Sequence, residues 1–295
     1  MNYTENSTGS SMNKPQEIYV TKMSGEKVLF DEKRLKNSLK RSNADPDTIE
    51  EVVEKIKTEL YDLIPTREIY RIAFSMLRKK SGSSASRYKL KRAILELGPS
   101  GFPFEKYISE LLKFRNYETR VGEIVKGHCV SHEIDIIANK EDRHLIIECK
   151  FHSDQRRFCD VKVPLYIHSR FKDVESELKK KKEFGHKTIL GGLVTNTRFS
   201  ADALQYGQCM GMFMLSWDYP GEKSLKSVID RSGLHPVTSL LTITMDEKTQ
   251  LLTQGIVLCK SLAENPDILK NMRISPNRIQ KILQEVRDIC ECKPQ

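Results

Sequence analysis

Apolar positions along the chain change period twice, and each change marks a new unit. Ile18, Val20, Val28 and Phe30 alternate with polar residues on either side of Ser24-Gly25, the pattern of a hairpin. Spacings of three and four then take over. Leu35 and Leu39 predict a helix over Glu32–Arg41, and Ile49, Val52, Val53, Ile56 and Leu60 a second over Asp45–Leu60. Ile69, Ile72, Ala73, Met76 and Leu77 predict a third over Thr66–Lys79, with Thr66 and Glu68 as its start signal. The small polar run Ser81–Ser86 predicts a loop, and Arg87–Leu97 resumes helix. Gly98-Pro99-Ser100-Gly101 is the clearest punctuation in the chain. A polar, disordered lead over 1–14 and a first domain over 15–99 are therefore expected.

The second unit mixes both periods. Pro103 suits a first helical turn, and Phe104, Ile108, Leu111 and Leu112 make one apolar stripe. Strand-like runs follow at Thr119–Val125, His132–Ala138 and His144–Phe151. Next come a helix around Arg170–Phe184, a strand Thr188–Thr195, a helix Ala201–Cys209 and a strand Met212–Trp217. That order predicts an α/β domain over 100–220, a mixed sheet with helices on its faces. Residues 221–295 read as a helical C-terminal subdomain, with Ser275-Pro276 opening its last helix.

Composition narrows the classes. The chain has 295 residues, 30% charged and 38% hydrophobic, which is too apolar for disorder and too polar for a membrane protein. Its longest uncharged stretch, Ala203–Trp217, is 15 residues and too short to span a bilayer. Met1–Ser11 has no secretory pattern, so a cytoplasmic protein is expected. The net charge of +9 favours polyanionic partners. Seven cysteines without a CxxC pair argue for thiols rather than a disulfide framework. His128-Cys129-x-x-His132 lacks a second pair at zinc spacing.

The strongest chemical signal lies in two neighbouring strands. Glu148 and Lys150, two apart, share one face, and Leu145, Ile147 and Cys149 the other. A turn centred near Glu141 sets Asp135 opposite or diagonal to Glu148. Two carboxylates that close repel unless a cation sits between them, and Mg²⁺ or Mn²⁺ is the natural partner. A metal so held activates water for phosphoester hydrolysis, with Lys150 placed to orient it. Glu105, in line with Ile108 and Leu112, is expected to face the same place from its helix.

Asp135, twelve residues, then Glu148-x-Lys150 resembles the PD-(D/E)XK nuclease motif. Phe104-Glu105-x-x-Ile108, Glu133-Ile134-Asp135, Glu148-Cys149-Lys150 and Gly192-Leu193-Val194-Thr195-Asn196 leading into Phe199-Ser200-Ala201 resemble the Mrr-like restriction endonuclease branch. The resemblance implies a restriction-endonuclease-like core. In it Asp135 and Glu148 hold metal, Lys150 is the catalytic lysine and Glu105 the helical acid. Upstream, Val20-Thr21-Lys22-Met23-Ser24-Gly25, Phe30-Asp31 and Arg34-Leu35 resemble the ATP-cone, a small regulatory α+β domain. That resemblance implies ATP or dATP contacts at Val20, Lys22, Arg34, Leu35 and Thr66. The chain departs from the family at Arg34 (usually Lys), Met23 (usually Arg) and Val28 (often an acid). No Walker A pattern exists, so the nucleotide is expected as an effector, with no hydrolysis. Together these readings give a Mg²⁺-dependent endonuclease of double-stranded DNA, restriction type, that forms a dimer or higher homo-oligomer. The alternatives are a nucleotide-responsive DNA-binding regulator with an inactive nuclease fold, and a repair or junction nuclease.

Overall fold

The computed structural model describes residues 17–291. The expected polar lead, 1–14, and Cys292 lie outside the described residues. The N-terminal unit is the expected hairpin and helices, with one unforeseen strand. β1 (Tyr19–Thr21) pairs antiparallel with β2 (Lys27–Leu29) and parallel with β3 (Ile64–Pro65). Two residues carry no periodicity, so β3 left no trace in the hydrophobic pattern. The helices α1 (Glu32–Arg41) and α2 (Pro46–Glu59) begin where Asp31 and Asp45 accept hydrogen bonds from the amides of Arg34 and Thr48. With α3 (Thr66–Lys80) they close a core of Val20, Leu39, Val52, Val53, Ile56, Ile64, Ala73 and Leu77.

The expected loop Ser81–Ser86 is instead a helix, α4 (Gly82–Tyr88), followed by α5 (Leu90–Leu95). Ser81 caps α4 by accepting from the Ser84 amide, and Ser84, Ala85 and Ser86 are buried. Their small size lets α4 lie close against its neighbours, and the Ser86 hydroxyl donates to Glu285, 199 positions away, at 2.6 Å. Serine reads as loop locally because its hydroxyl competes for the backbone; a distant carboxylate removes that competition.

The second sheet runs in the order β4 (Glu118–Lys126), β5 (Ser131–Lys140), β6 (Arg143–Lys150), β7 (Thr188–Thr195), β8 (Phe213–Leu215). The first three strands are antiparallel neighbours; β6, β7 and β8 are parallel, so the sheet is mixed as expected. A two-residue turn, Glu141-Asp142, joins β5 to β6 through the pair Lys140–Arg143. Helix α6 (Phe102–Lys113) lays Phe104, Ile108 and Leu112 on the face built by Ile136, Leu145 and Ile147. On the opposite face α7 (Lys162–Leu178) sets Phe171, Val174 and Leu178 against Ile137, Ile146 and Ile189. This helix starts eight positions before the expected Arg170; buried Pro164 in its first turn was the start signal that apolar spacing alone passed over. α8 (Ala201–Cys209) follows β7.

The C-terminal helices are α9 (Leu225–Ser232), α10 (Met245–Thr253), α11 (Cys259–Glu264), α12 (Asp267–Asn271) and α13 (Pro276–Cys290). They share one continuous core with α5, α6 and the sheet, through Leu90, Ile94, Tyr107, Leu251, Ile282 and Val286. A buried polar seam joins the N-terminal unit to them. Besides Ser86, Glu285 accepts from the amides of Leu241 and Thr242 and from the Thr242 hydroxyl. Lys89 and Lys248 both donate to the Thr238 carbonyl, and Glu96 pairs with both ammonium groups. Such groups are tolerated in a core because each finds a charged or hydrogen-bonding partner. Cys129, Cys149, Cys159, Cys209 and Cys259 are unbridged thiols. Among the described residues no helix is long and apolar enough to cross a membrane.

Candidate functional site

The β5–β6 ladder runs regularly from Lys140–Arg143 to Ile136–Ile147 and stops there. The next residues in register, Asp135 and Glu148, would face each other. Instead Asp135 turns its carboxylate onto the freed Cys149 amide, accepting at 2.7 Å. On the outer side the register sets Asp135 opposite Gly122 of β4, whose φ is 68°. That left-handed conformation suits glycine and interrupts β4 where the ladder skips. The alternation of β5 slips at the same point: Ile136 packs with the α6 face, Ile134 with the α7 face. Asp135 thus sits where the strands part.

Glu148 and Glu105 reach the same place from β6 and α6. Burial pushes the Glu105 carboxyl up to about 7, helped by the charges of Asp135 and Glu133. Burial also pushes Glu148 up to about 7, helped by Asp135 and resisted by Arg170. Burial raises Asp135 too, against the lowering effect of the Cys149 amide, Arg170 and Lys150. All three carboxyls are raised first by burial, and the charge of Asp135 raises both Glu105 and Glu148, an arrangement whose repulsion a cation would relieve. Glu148 carries a second sign: its Oε1 is buried without a hydrogen-bond partner. The other oxygen, Oε2, pairs with Arg170 of α7 at 2.9 Å. The donor set, hard carboxylate oxygens with one of them orphaned, fits a divalent cation such as Mg²⁺ or Mn²⁺. Among the described residues, however, no group of three or more acidic, His or Cys side chains is arranged to hold a metal by itself. A cation here would take the rest of its shell from water and substrate oxygens, as Mg²⁺ commonly does.

Lys150 is exposed at the end of β6, close enough for its charge to lower the Asp135 carboxyl. The backbone behind it is fixed. Thr195 donates its hydroxyl to the Lys150 carbonyl at 2.7 Å. Asn196 clamps His152 twice, its Oδ1 accepting from the amide and its Nδ2 donating to the carbonyl, each at 2.8 Å. Thr195 and Asn196 were visible in the sequence as part of a motif, though without this role. Arg170 was missed. It pairs with Glu148, donates to the Glu133 carbonyl and lies 5.6 Å over the Tyr166 ring. No local pattern distinguishes it from other helical arginines. His128-Cys129-x-x-His132 is structural: Asp173 accepts from the Cys129 and Val130 amides and pairs with His132 at 2.8 Å.

In the N-terminal unit, Val20 and Leu35 are buried, and Arg34 is exposed on the first turn of α1. Thr66 opens α3 just after β3, and the parallel register of Val20–Ile64 and Thr21–Pro65 brings it level with Lys22. Lys22 is tied to Glu26 across the hairpin turn at 3.0 Å. The five predicted contact positions therefore come from β1, the hairpin turn after it, α1 and the start of α3.

Fold and site together define a two-part protein: a small β-hairpin-and-helix domain joined to a mixed α/β domain with a helical C-terminus. Comparisons give these parts their names. Residues 18–96 match the family model of the ATP cone domain, so the N-terminal unit is an ATP-cone domain. Residues 235–290 match the model described as AF1548-like, C-terminal. An uncharacterized protein of Archaeoglobus fulgidus is 28% identical over 183 residues, 62% of this chain and 99% of its own length. A crystal structure of a protein of unknown function, AF1548, matches with a TM-score of 0.54 and 27% identity, over 65% of this chain and 98% of the other.

Proposed function

We propose that the protein is a nucleotide-regulated, divalent-metal-dependent endonuclease of double-stranded DNA, with a sheet domain of the PD-(D/E)XK, Mrr-like kind. The observation that carries this reading is the meeting of Asp135, Glu148 and Glu105 at the parting of β5 and β6, with Glu148 Oε1 buried and unpartnered. Asp135 and Glu148 would hold the cation, which supplies an activated water and charge for the phosphate. Glu105, raised to about 7, would in its ionised form receive the proton that water gives up. Lys150, on a backbone pinned by Thr195 and Asn196, would face the phosphate as charge builds on it. Removing one such stabilising donor typically costs roughly 3–4 kcal/mol of transition-state stabilisation. ATP or dATP, bound in the cone, would regulate rather than react.

A second reading has one observation in its favour. Arg170 already occupies Glu148 Oε2, as it would in a DNA-binding regulator whose nuclease site is inert. Plasmid DNA incubated with Mg²⁺ or Mn²⁺, with and without ATP or dATP, separates the two. Nicking or linearisation that disappears in Lys150→Ala and with EDTA supports the nuclease. Retained DNA binding without cleavage of plain, methylated or branched substrates supports the regulator.

A further inference from the structure

Glu148 is held at one oxygen and bare at the other. Its Oε2 pairs with Arg170 Nη1 at 2.9 Å, and its Oε1 is buried without a partner. The second arm of the same guanidinium, Nη2, donates to the backbone carbonyl of Glu133. Glu133 belongs to β5 and Glu148 to β6, so one arginine fastens the two strands to each other. It does so just past the point where their own ladder ends, at Ile136–Ile147. Asp135, next to that last rung, turns instead to the Cys149 amide. Arg170 thus supplies from α7 the cross-link that the backbones no longer make. Its own orientation is fixed from a third side. Tyr166 stands one turn earlier on α7, and its ring centroid lies 5.6 Å from the guanidinium carbon. The Tyr166 side chain is 63% exposed, so changing it opens no cavity in the core. A planar fork carries its two donors at a fixed separation, whereas a lysine ammonium is a point charge on a flexible stem.

We propose that Arg170 is a positioning residue: it engages Glu148 through Oε2 and so presents Oε1 alone to a divalent cation. The proposal rests on the reading of Asp135 and Glu148 as cation ligands, and deepens it by assigning the oxygen that binds. A carboxylate fixed in this way loses little freedom when the cation arrives, because its orientation is already set. It also offers a single oxygen, which leaves positions around an octahedral Mg²⁺ for water and a phosphate. Hydrogen-bonded partners of ligating side chains typically change metal affinity by about 10–100-fold when replaced. Tyr166 acts one step further out, by holding the plane of the guanidinium. On this account the Arg170–Glu148 pair belongs to a working site, with the unpartnered Oε1 as the open position.

The test is Mn²⁺ binding to the full chain without DNA or nucleotide, read from the electron paramagnetic resonance signal of the free ion. The native protein is compared with Arg170→Lys, Tyr166→Leu and Glu148→Gln, and circular dichroism melts report folding. Arg170→Lys keeps the positive charge beside Glu148 and removes the fork. A role through charge alone, or through stability alone, leaves Mn²⁺ affinity of the folded variant unchanged. Positioning instead weakens it by about tenfold or more in Arg170→Lys, and by about twofold or more in Tyr166→Leu. Binding in Arg170→Lys as tight as native, or tighter, overturns the proposal; if Glu148→Gln has meanwhile lost the ion, the cation reading of the site stands. Should Arg170→Lys not fold, Tyr166→Leu decides, and native Mn²⁺ affinity in that variant overturns the proposal. Mn²⁺ binding that is absent from the native protein, or unchanged in Glu148→Gln, overturns the cation reading and the proposal with it.

Discussion

Replacing Glu105 with Gln should stabilise the protein at alkaline pH and leave it unchanged in mild acid. The Glu105 carboxyl is pushed from 4.5 up to about 7, first by burial and then by Asp135 and Glu133. Below pH 4.5 it is protonated in both folded and unfolded chains and contributes no difference. Between 4.5 and about 7 the folded protein keeps a proton that the unfolded chain has released, so this group lowers stability as pH rises. A shift from 4.5 to about 7 corresponds to roughly 3 kcal/mol at about 1.36 kcal/mol per unit. Two effects reduce that figure. The side chain is half-buried, so solvent screens part of the repulsion. Its carboxylate also sits in the first turn of α6, where the helix dipole favours negative charge by about 0.3–1 kcal/mol. The net gain for Glu105→Gln is therefore about 1–2 kcal/mol at pH 8 and close to zero at pH 4.5. Urea unfolding at the two pH values, read by circular dichroism, measures it. A gain of equal size at both, or a loss at pH 8, would refute the claim that three carboxyls share one desolvated site. Saturating Mg²⁺ at pH 8 should stabilise the native protein more than the variant, because the cation relieves the repulsion that Gln has already removed.

Arg170→Gln removes the cation from a largely buried pair whose side chains are 17% and 13% exposed. It should cost about 2 kcal/mol or more at pH 8 by leaving Glu148 uncompensated. The cost should shrink at pH 5, where that carboxyl, already raised to about 7, is protonated; thermal melts across pH decide. Glu285→Ala strips the acceptor from Ser86, Leu241 and Thr242 and should cost about 2–4 kcal/mol. Scanning calorimetry should then separate melting of the cone from the rest; a single unshifted transition would refute a structural role for the seam. Gly122→Ala meets no neighbouring atom but imposes a side chain at φ 68°. It should cost roughly 1–2 kcal/mol in urea unfolding, and a neutral result would argue against left-handed strain in β4.

The sequence by itself determined the order of elements apart from β3 and α4, and it singled out the candidate site residues Asp135, Glu148, Lys150 and Glu105. Each rested on local information. Helical spacing needs only neighbours three and four apart, and Glu148-x-Lys150 on one face follows from the two-residue period of a strand. The two-residue turn at Glu141-Asp142 was enough to bring Asp135 level with Glu148. The rest depended on contacts between distant segments. β3 is a strand because β1 offers it a ladder, and α4 is a helix because α3 and Glu285 of α13 receive its small buried residues. The helices of residues 221–291 read as a subdomain; the tertiary structure merges them with α5, α6 and the sheet in one core, since their apolar stripes have no other surface to cover. The electrostatics of the site were equally out of reach. A charge run along the chain does not reveal that Arg170 faces Glu148 or that Glu148 Oε1 lacks a partner. Those facts arise only where α7 packs beside the end of β6.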